Sequence, residues 1–477
     1  MNLFISGLFF TSITGFKTEF SIRMRCWLPY ITMRKTLLTV ALLLTVKALS
    51  AQQDTTSGNY VFSLEECIKY ALSNQNNVVN ARLSRQSSLE RIREYRGRLL
   101  PHVTVTGNFT DNLKLQTSLI PDIAGNPDNK IPVQFGTKFS SALTGEATQT
   151  LFNSDYFLGL RAAKVYDELS VRDLQRTAID TRVQVSVAYF DVLVALESIR
   201  IVDANLAQFG KTLKDTKARY EEGVTERIDV DRIQASFNSV ETERANLERT
   251  KGYAYDLLKF SMGLPLNAKL DIKETVNDFT SVALPDSMNY SVLDRPEYAM
   301  QRVQVELNRL SLKSKKLEFL PTLNAFVNYG FNWFGGEFSE LYKTGFGASA
   351  LGLRLSWPIF AGTERIYQAR QYAITLQQSQ NDLSYLDQQI KLQVRDAWTQ
   401  FKNNYASYLT QQKNIELTQG VYDRVVLKYE QGVSTSLDVI SADNNLKLAQ
   451  NEYITALINA LISKVKLDQA MGKIKVE

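Results

Sequence analysis

The chain has 477 residues, 10 prolines, 23 glycines and a formal net charge of +5. Six Lys/Arg and one Glu lie in residues 1–51, and the remainder carries 49 basic and 49 acidic residues. The basic excess therefore belongs to the N-terminal segment and is no footprint of nucleic-acid binding.

That segment is the first element in chain order. From Met33 it reads Arg34 and Lys35, an apolar stretch of about ten residues, then small residues near Ser50 and Ala51. This is the layout of a secretory signal peptide, so residues 1–51 are expected to be a leader that is removed, with 1–32 upstream of it. Cys26 falls within the leader and Cys67 would be left alone, so neither a disulfide framework nor an N-terminal lipid anchor is expected.

The rest reads as one plan written twice. The first repeat, 52–265, predicts a helix over 63–98, strands over 102–113 and 138–152, a long helix over 154–221 and a return helix over 227–262. After an equatorial linker at 266–293, the second repeat, 294–477, predicts a helix over 294–318 and strands over 322–334 and 345–360. A long helix over 362–430 and a return helix over 436–471 follow. Tyr220 and Tyr429, Gly223 and Gly432, Asp229 and Asp438, and Gly263 and Gly472 are all 209 positions apart, whereas Pro101 and Pro321 are 220 apart. A duplication on this scale implies internal pseudo-symmetry.

The strand segments alternate. Val103, Val105, Gly107 and Phe109 interleave with Thr104, Thr106 and Asn108, and Leu351, Leu353, Leu355 and Trp357 interleave with Arg354 and Ser356. Such runs are long enough to cross a bilayer at a tilt, with Tyr329, Trp333 and Trp357 suited to aromatic girdles. Four strands cannot close a membrane barrel, for which about eight is the minimum, so a barrel would be shared and three copies would supply about twelve strands. The segment 112–136, with three prolines, reads as a long polar loop.

The long helices repeat at coiled-coil spacing. Val185, Ala188, Val192, Ala195, Ile199, Val202, Leu206, Phe209 and Leu213 form an unbroken apolar seam. In the second repeat, Val394, Phe401, Tyr408, Ile415 and Tyr422 alternate with Ala397, Asn404, Gln411 and Thr418, which predicts a wetter surface. A helix over 154–221 would run for about 100 Å at 1.5 Å per residue and needs partners along its whole length.

No catalytic constellation emerges. His102 is the sole histidine and has no cysteine or carboxylate partners at ligand spacing. The stretch GFGASALG at 345–352 lacks the Gly-Lys-Ser/Thr ending of a phosphate loop and lies within an alternating strand. The glycine turns read first as structure: Gly223 and Gly432 end long helices, and Asp229 and Asp438 fall in the first turns of the return helices. At a shared axis, a ring of such carboxylates would also attract cations.

The sequence resembles the TolC-type outer-membrane efflux channels. The likeness rests on DRPEYAMQRVQVELNRLSLKSKKLEFLPTLN (294–324), WPIFAG (357–362) and KYEQGVSTSLDVISADNN (428–445). It implies an α+β membrane protein: a long α-helical coiled-coil barrel, with four strands per chain contributing to a trimeric 12-stranded outer-membrane β-barrel. It further implies a passive exit duct of a tripartite efflux or secretion system. Its partners would be two further copies, a periplasmic adaptor, an inner-membrane transporter and the outer-membrane lipid, with no cofactor, metal or nucleic acid. The alternative is a periplasmic coiled-coil adaptor or scaffold without a pore. Tyr429, Gly432, Asp438 and Asp443 are the implied periplasmic entrance, while Tyr220, Gly223 and Asp229 would form a supporting or adaptor-docking hairpin. Ser434 and Ser441 stand where the family pattern has a clamping arginine and a second pore aspartate.

Overall fold

The computed structural model describes residues 59–121, 130–280 and 288–475. The leader expected over 1–51 lies outside them. In chain order the elements are β1 (Asn59–Phe62), α1 (Leu64–Asn74), α2 (Asn76–Gly97), β2 (His102–Asp111), β3 (Thr117–Pro121), β4 (Lys130–Gln134), β5 (Phe139–Phe152), α3 (Ser154–Glu221) and α4 (Arg227–Met262). Then come β6 (Lys269–Ile272), α5 (Pro296–Leu317), β7 (Thr322–Gly335), β8 (Gly345–Ser356), α6 (Glu364–Glu430) and α7 (Ser436–Ala470).

The two long helices contain 68 and 67 residues. At 1.5 Å per residue each runs for about 100 Å. The return helix α4 and the shorter α2 lie along α3, while α5 and α7 lie between α3 and α6. The α3 seam is closed: Val185, Ala188, Val192, Ala195, Ile199, Val202, Phe209 and Leu213 are all buried. On α6 only every seventh residue is fully buried over much of the length, at Val394, Phe401, Tyr408 and Tyr422, with the alternate positions Ala397, Asn404, Gln411 and Thr418 half-buried. The difference follows from neighbours, since α3 is flanked on both sides within the chain and α6 is the outermost long helix.

The helix read over 63–98 is two helices. Gln75 is extended (φ −66°, ψ 129°), and its Oε1 accepts from Asn77 N at 2.7 Å and Val78 N at 3.1 Å, capping α2. The polar Ser73–Asn77 run supplies a cap as readily as it supplies helix. The close approach of α4 also shapes this break, because a Cβ on Gly263 would lie 2.9 Å from Gln75 Cα and 2.9 Å from Asn74 O. Around it sits an equatorial core. β1 pairs in parallel with β6, and Glu274 accepts from Leu64 N at 2.7 Å and from the buried Tyr189 hydroxyl at 2.6 Å.

The four long strands form one antiparallel sheet in the order β2-β5-β7-β8. Register puts Val103, Ala147, Val327 and Leu351 in one row, and Thr104, Glu146, Asn328 and Ala350 in the next. Because successive side chains alternate in direction, one face is apolar and the other small or polar. Val103, Val105, Leu351, Leu353 and Leu355 are all more than 60 % exposed in the single chain. Aromatic side chains sit at both ends. The Trp357 indole donates to Phe319 O at 3.2 Å beside the helices, and Phe109, Phe139 and Phe338 cluster with ring centroids 5.9–6.3 Å apart at the far end.

The segment read as a polar loop over 112–136 contains a hairpin, with β3 and β4 paired from Thr117↔Gln134 to Pro121↔Lys130. Its prolines masked it. Pro132 faces Leu119 in a two-stranded ribbon, where one edge needs no N–H, and Pro121 ends its strand.

Candidate functional site

Each long helix turns back through a hairpin built from the same residues. At the first, Gly223 has φ +75° and donates to Tyr220 O at 3.0 Å, while Val224 N donates to Arg219 O at 2.8 Å. At the second, Gly432 has φ +74° and donates to Tyr429 O at 3.0 Å, while Val433 N donates to Lys428 O at 2.9 Å. The left-handed residue satisfies the last carbonyls of each helix and reverses the chain, and glycine adopts that conformation without strain.

The return helices are capped differently. Thr435 and Asp438 form a reciprocal capping box on α7. Asp438 Oδ2 accepts from Thr435 N at 2.9 Å, from Thr435 Oγ1 at 2.7 Å and from Ser434 Oγ at 3.0 Å. These bonds, led by the Thr435 backbone, hold the Asp438 carboxyl below its ordinary pKa although it is exposed. Ser434 thus serves its own hairpin. On α4, Glu226 makes no side-chain cap, and Asp229 instead accepts from Thr225 Oγ1 at 2.8 Å and from Ser436 Oγ of the other hairpin. The Ser436 bond is the main cause of a lowered Asp229 pKa.

The hydrogen bond from Ser436 to Asp229 is one of several ties between the hairpins. The buried Thr216 Oγ1 and Tyr429 hydroxyl are 2.9 Å apart. Thr216 already donates to Thr212 O at 2.8 Å, so Tyr429 is the donor. Arg219 donates to Tyr429 O at 3.1 Å and Glu430 O at 2.7 Å, and its guanidinium lies 5.5 Å from the Tyr429 ring centroid. A cation placed on the last carbonyls of α6 also complements the negative end of that helix. Lys211 lies 3.5 Å from Glu430. Beneath these, Tyr429 packs with Phe209, Leu213, Ile233, Val240 and Val439.

The structure therefore divides the seven residues singled out in the sequence. Gly432 and Asp438 lie at the exposed tip, as does Gly223, whereas Tyr429 is buried between the hairpins and Asp229 joins it in tying them together. Tyr220, the duplicate of Tyr429, is 43 % exposed. Asp443 stands apart from the tip. It is 2 % exposed, paired with Lys447 at 2.8 Å, and burial pushes its carboxyl up despite that lysine. Within the chain it is an interior carboxylate and does not share the exposed surface of Asp438. Thr216, Arg219 and Ser436 were missed. Arg219 had a visible signal, since it matches Lys428 at the spacing of 209.

Two hairpins on long paired helices, below a half-apolar sheet, are one arrangement that recurs in known proteins. Residues 67–264 and 291–473 match the model of the outer membrane efflux protein family. The chain belongs to that family. The match covers both repeats and skips the linker between them. Among curated outer membrane efflux relatives, TolC of Vibrio cholerae is 21 % identical over 86 % of this chain and 90 % of its own length. TolC of Escherichia coli is 22 % identical over 81 % of this chain and 78 % of its own. The alkaline protease secretion protein AprF of Pseudomonas aeruginosa is 23 % identical, covering 67 % of each chain. Among solved structures, the Campylobacter jejuni CmeC outer membrane channel superposes with a TM-score of 0.70 at 14 % identity, covering 88 % of this chain and 90 % of that one. CusC gives 0.68 at 16 % identity, covering 88 % and 94 %.

Proposed function

We propose that the protein is a passive exit duct: three copies close a shared barrel in the outer membrane, and their helices continue it as a tunnel across the periplasm. The observation that carries this reading is the four-stranded sheet, apolar on one face and ending in the unpaired edges of β2 and β8, set on helices of about 100 Å. An open edge with an apolar face is stable in a membrane only when the sheet closes, and strands from three copies reach about twelve. The relatives' names range from protease secretion to toluene efflux, and an outer-membrane exit is what those functions share. The duct carries no catalytic chemistry. Its energy comes from an inner-membrane transporter, joined to it through a periplasmic adaptor.

In this reading the paired hairpins form the pump-facing entrance. The second, with Tyr429, Gly432 and Asp438, is the gate, and Asp443 braces it from within. The first, with Tyr220, Gly223 and Asp229, is the support and the adaptor-docking surface. Engagement of the adaptor opens the entrance by parting the ties between them. Three Asp438 carboxylates held in the charged form around one axis attract cations. Replacing Asp438 with Ala is expected to weaken block of single-channel current by multivalent cations, and unchanged block would place the acidic ring elsewhere. The assembly itself is tested in outer-membrane extracts: the duct predicts heat-resistant trimers, and finding only soluble monomer would refute it.

A further inference from the structure

Charge is distributed unevenly along the helices. The eleven residues of α2, α3, α5 and α6 nearest the sheet (87–97, 154–164, 307–317 and 364–374) hold 11 Lys/Arg against four Asp/Glu. The eleven residues of α3, α4, α6 and α7 nearest the hairpins (211–221, 227–237, 420–430 and 436–446) hold eight of each. Each chain therefore carries a net charge of +7 in a collar directly below the sheet, while the hairpin end is neutral.

Helix dipoles do not explain the collar. α2 and α5 end at the sheet, where cations complement the last carbonyls, but α3 and α6 begin there, where anions would be favoured. Yet α3 carries Arg161 and Lys164 at that end, and α6 carries Arg365 and Arg370. Ion pairing within the chain does not explain it either. Glu90, Glu94, Glu306 and Glu318 are taken up by Arg93, Arg98, Arg161 and Lys315. Arg91, Arg96, Lys164, Lys313, Lys316 and Arg370 are exposed and have no carboxylate partner among the described residues.

What the four helix ends share is their level. Trp357 continues the apolar face of β8 one residue past its end. Its indole donates to Phe319 O, and Arg365 donates to the adjacent Glu318 O at 2.8 Å, with its guanidinium 5.7 Å from the Phe319 ring centroid. A cation is thus held at the corner where the apolar surface of the sheet ends. Leu100, Ile359 and Phe360, in the connections between sheet and helices, are 65 %, 81 % and 86 % exposed. An apolar rim with cations beneath it lets long side chains lay their stems along hydrocarbon and keep their charge among head groups.

We propose that this collar binds the phosphates of anionic phospholipids in the leaflet of the outer membrane that faces the periplasm. The inference rests on the duct reading, which puts the sheet in that membrane, and adds to it the lipid that the helix ends recognise. Basic clusters beside a membrane span are drawn to anionic head groups in this way. The dimensions agree. Eleven helical residues cover about 16 Å. The head-group layer is about 6 Å deep, and the screening length in physiological salt adds about 8 Å. Carried around the whole barrel, the collar fixes the depth of the sheet and opposes sliding of the rod through the bilayer.

The test is insertion of the purified full-length chain into liposomes of phosphatidylcholine, alone or with one-third phosphatidylglycerol, read by flotation. The wild-type chain is expected to insert about tenfold faster into the anionic liposomes, and 0.5 M salt is expected to remove the advantage. Arg96→Gln/Lys164→Gln/Lys313→Gln/Lys316→Gln should match wild type in neutral liposomes and lose most of the advantage. Lys214→Gln/Lys217→Gln/Arg227→Gln/Arg424→Gln removes the same charge at the hairpin end and should keep it. The wild-type comparison of lipids and salt decides the matter even if a variant misfolds. Equal insertion of wild type into both lipids, or equal loss in both variants, would overturn the collar and leave the duct intact. Retention on purified cell-wall sacculi without preference between liposomes would overturn the choice of partner. Failure to insert into any liposome would overturn the duct reading with it.

Discussion

In the proposed duct the narrow end opens when the second hairpin parts from the first, so weakening their ties shifts the balance between closed and open channels. Tyr429→Phe removes one buried hydrogen bond between neutral groups, worth about 1 kcal/mol. The damage is contained because the Thr216 hydroxyl keeps its own acceptor in Thr212 O. Arg219→Ala removes two charge-assisted bonds to the last carbonyls of α6. Such bonds reach about 1.5–3 kcal/mol each when buried, and since Arg219 is half-exposed the pair is discounted to about 1–2 kcal/mol in total. Together the substitutions remove about 2–3 kcal/mol per chain, or about 30- to 150-fold in the ratio of parted to joined hairpins. Both changes touch Tyr429, so the double variant measures their coupling as well as their sum. Single-channel recording reads the ratio directly as open and closed dwell times. Tyr220→Phe is the control, because that exposed duplicate has no place between the hairpins and its loss should change nothing. Intact trimers of the double variant with wild-type dwell times would refute the claim that these contacts hold the entrance.

Three further outcomes follow from particular residues. Leu353→Arg, on the apolar face of β8, should cost about 2–4 kcal/mol of barrel stability near the bilayer midplane, whereas Ala350→Arg on the opposite face should be tolerated; heat-modifiability on gels compares them. Gly432→Ala carries only the left-handed backbone strain of about 1–2 kcal/mol, since no atom lies within 4 Å of its added Cβ; Gly263→Ala adds a clash with backbone at 2.9 Å and should lower the thermal midpoint far more. The Asp229 carboxyl titrates below its ordinary value of 3.8, so its tie to Ser436 is fully present above that pH and is lost as pH falls through the lowered value. Spin labels at the exposed Val224 and Val433 should therefore separate as pH falls through that lowered value, and Asp229→Asn should remove the part of the dependence that this tie carries, leaving the part that comes from the Asp438 cap.

Where the sequence was informative, the information lay in periodicity. The constant spacing of 209, the seam from Val185 to Leu213 and the alternation from Val103 to Phe109 each report a local or repeated geometry, which a one-dimensional pattern can carry. The break at Gln75 was not legible, because a Ser-Asn-Gln-Asn-Asn run suits a cap and a helix turn equally, and the choice was made by Gly263, which lies far along the chain. The β3–β4 hairpin was hidden by prolines that are harmless on a two-stranded ribbon. The difference between the two hairpins was hidden in the same way. Tyr220 and Tyr429 sit in nearly identical motifs, and only the hairpin opposite, through Thr216 and Arg219, makes one buried and the other exposed. Asp443 is one turn and a half beyond Asp438, yet helix geometry turns it inward toward Lys447.

Whether this chain makes a pore is decided by planar-bilayer recording of the purified protein. A passive duct gives discrete conductance steps that need no energy source and that Asp438→Ala makes less sensitive to multivalent cations. Heat-resistant trimers that insert into the bilayer and never conduct, even with Tyr429 and Arg219 replaced to part the hairpins, would contradict it.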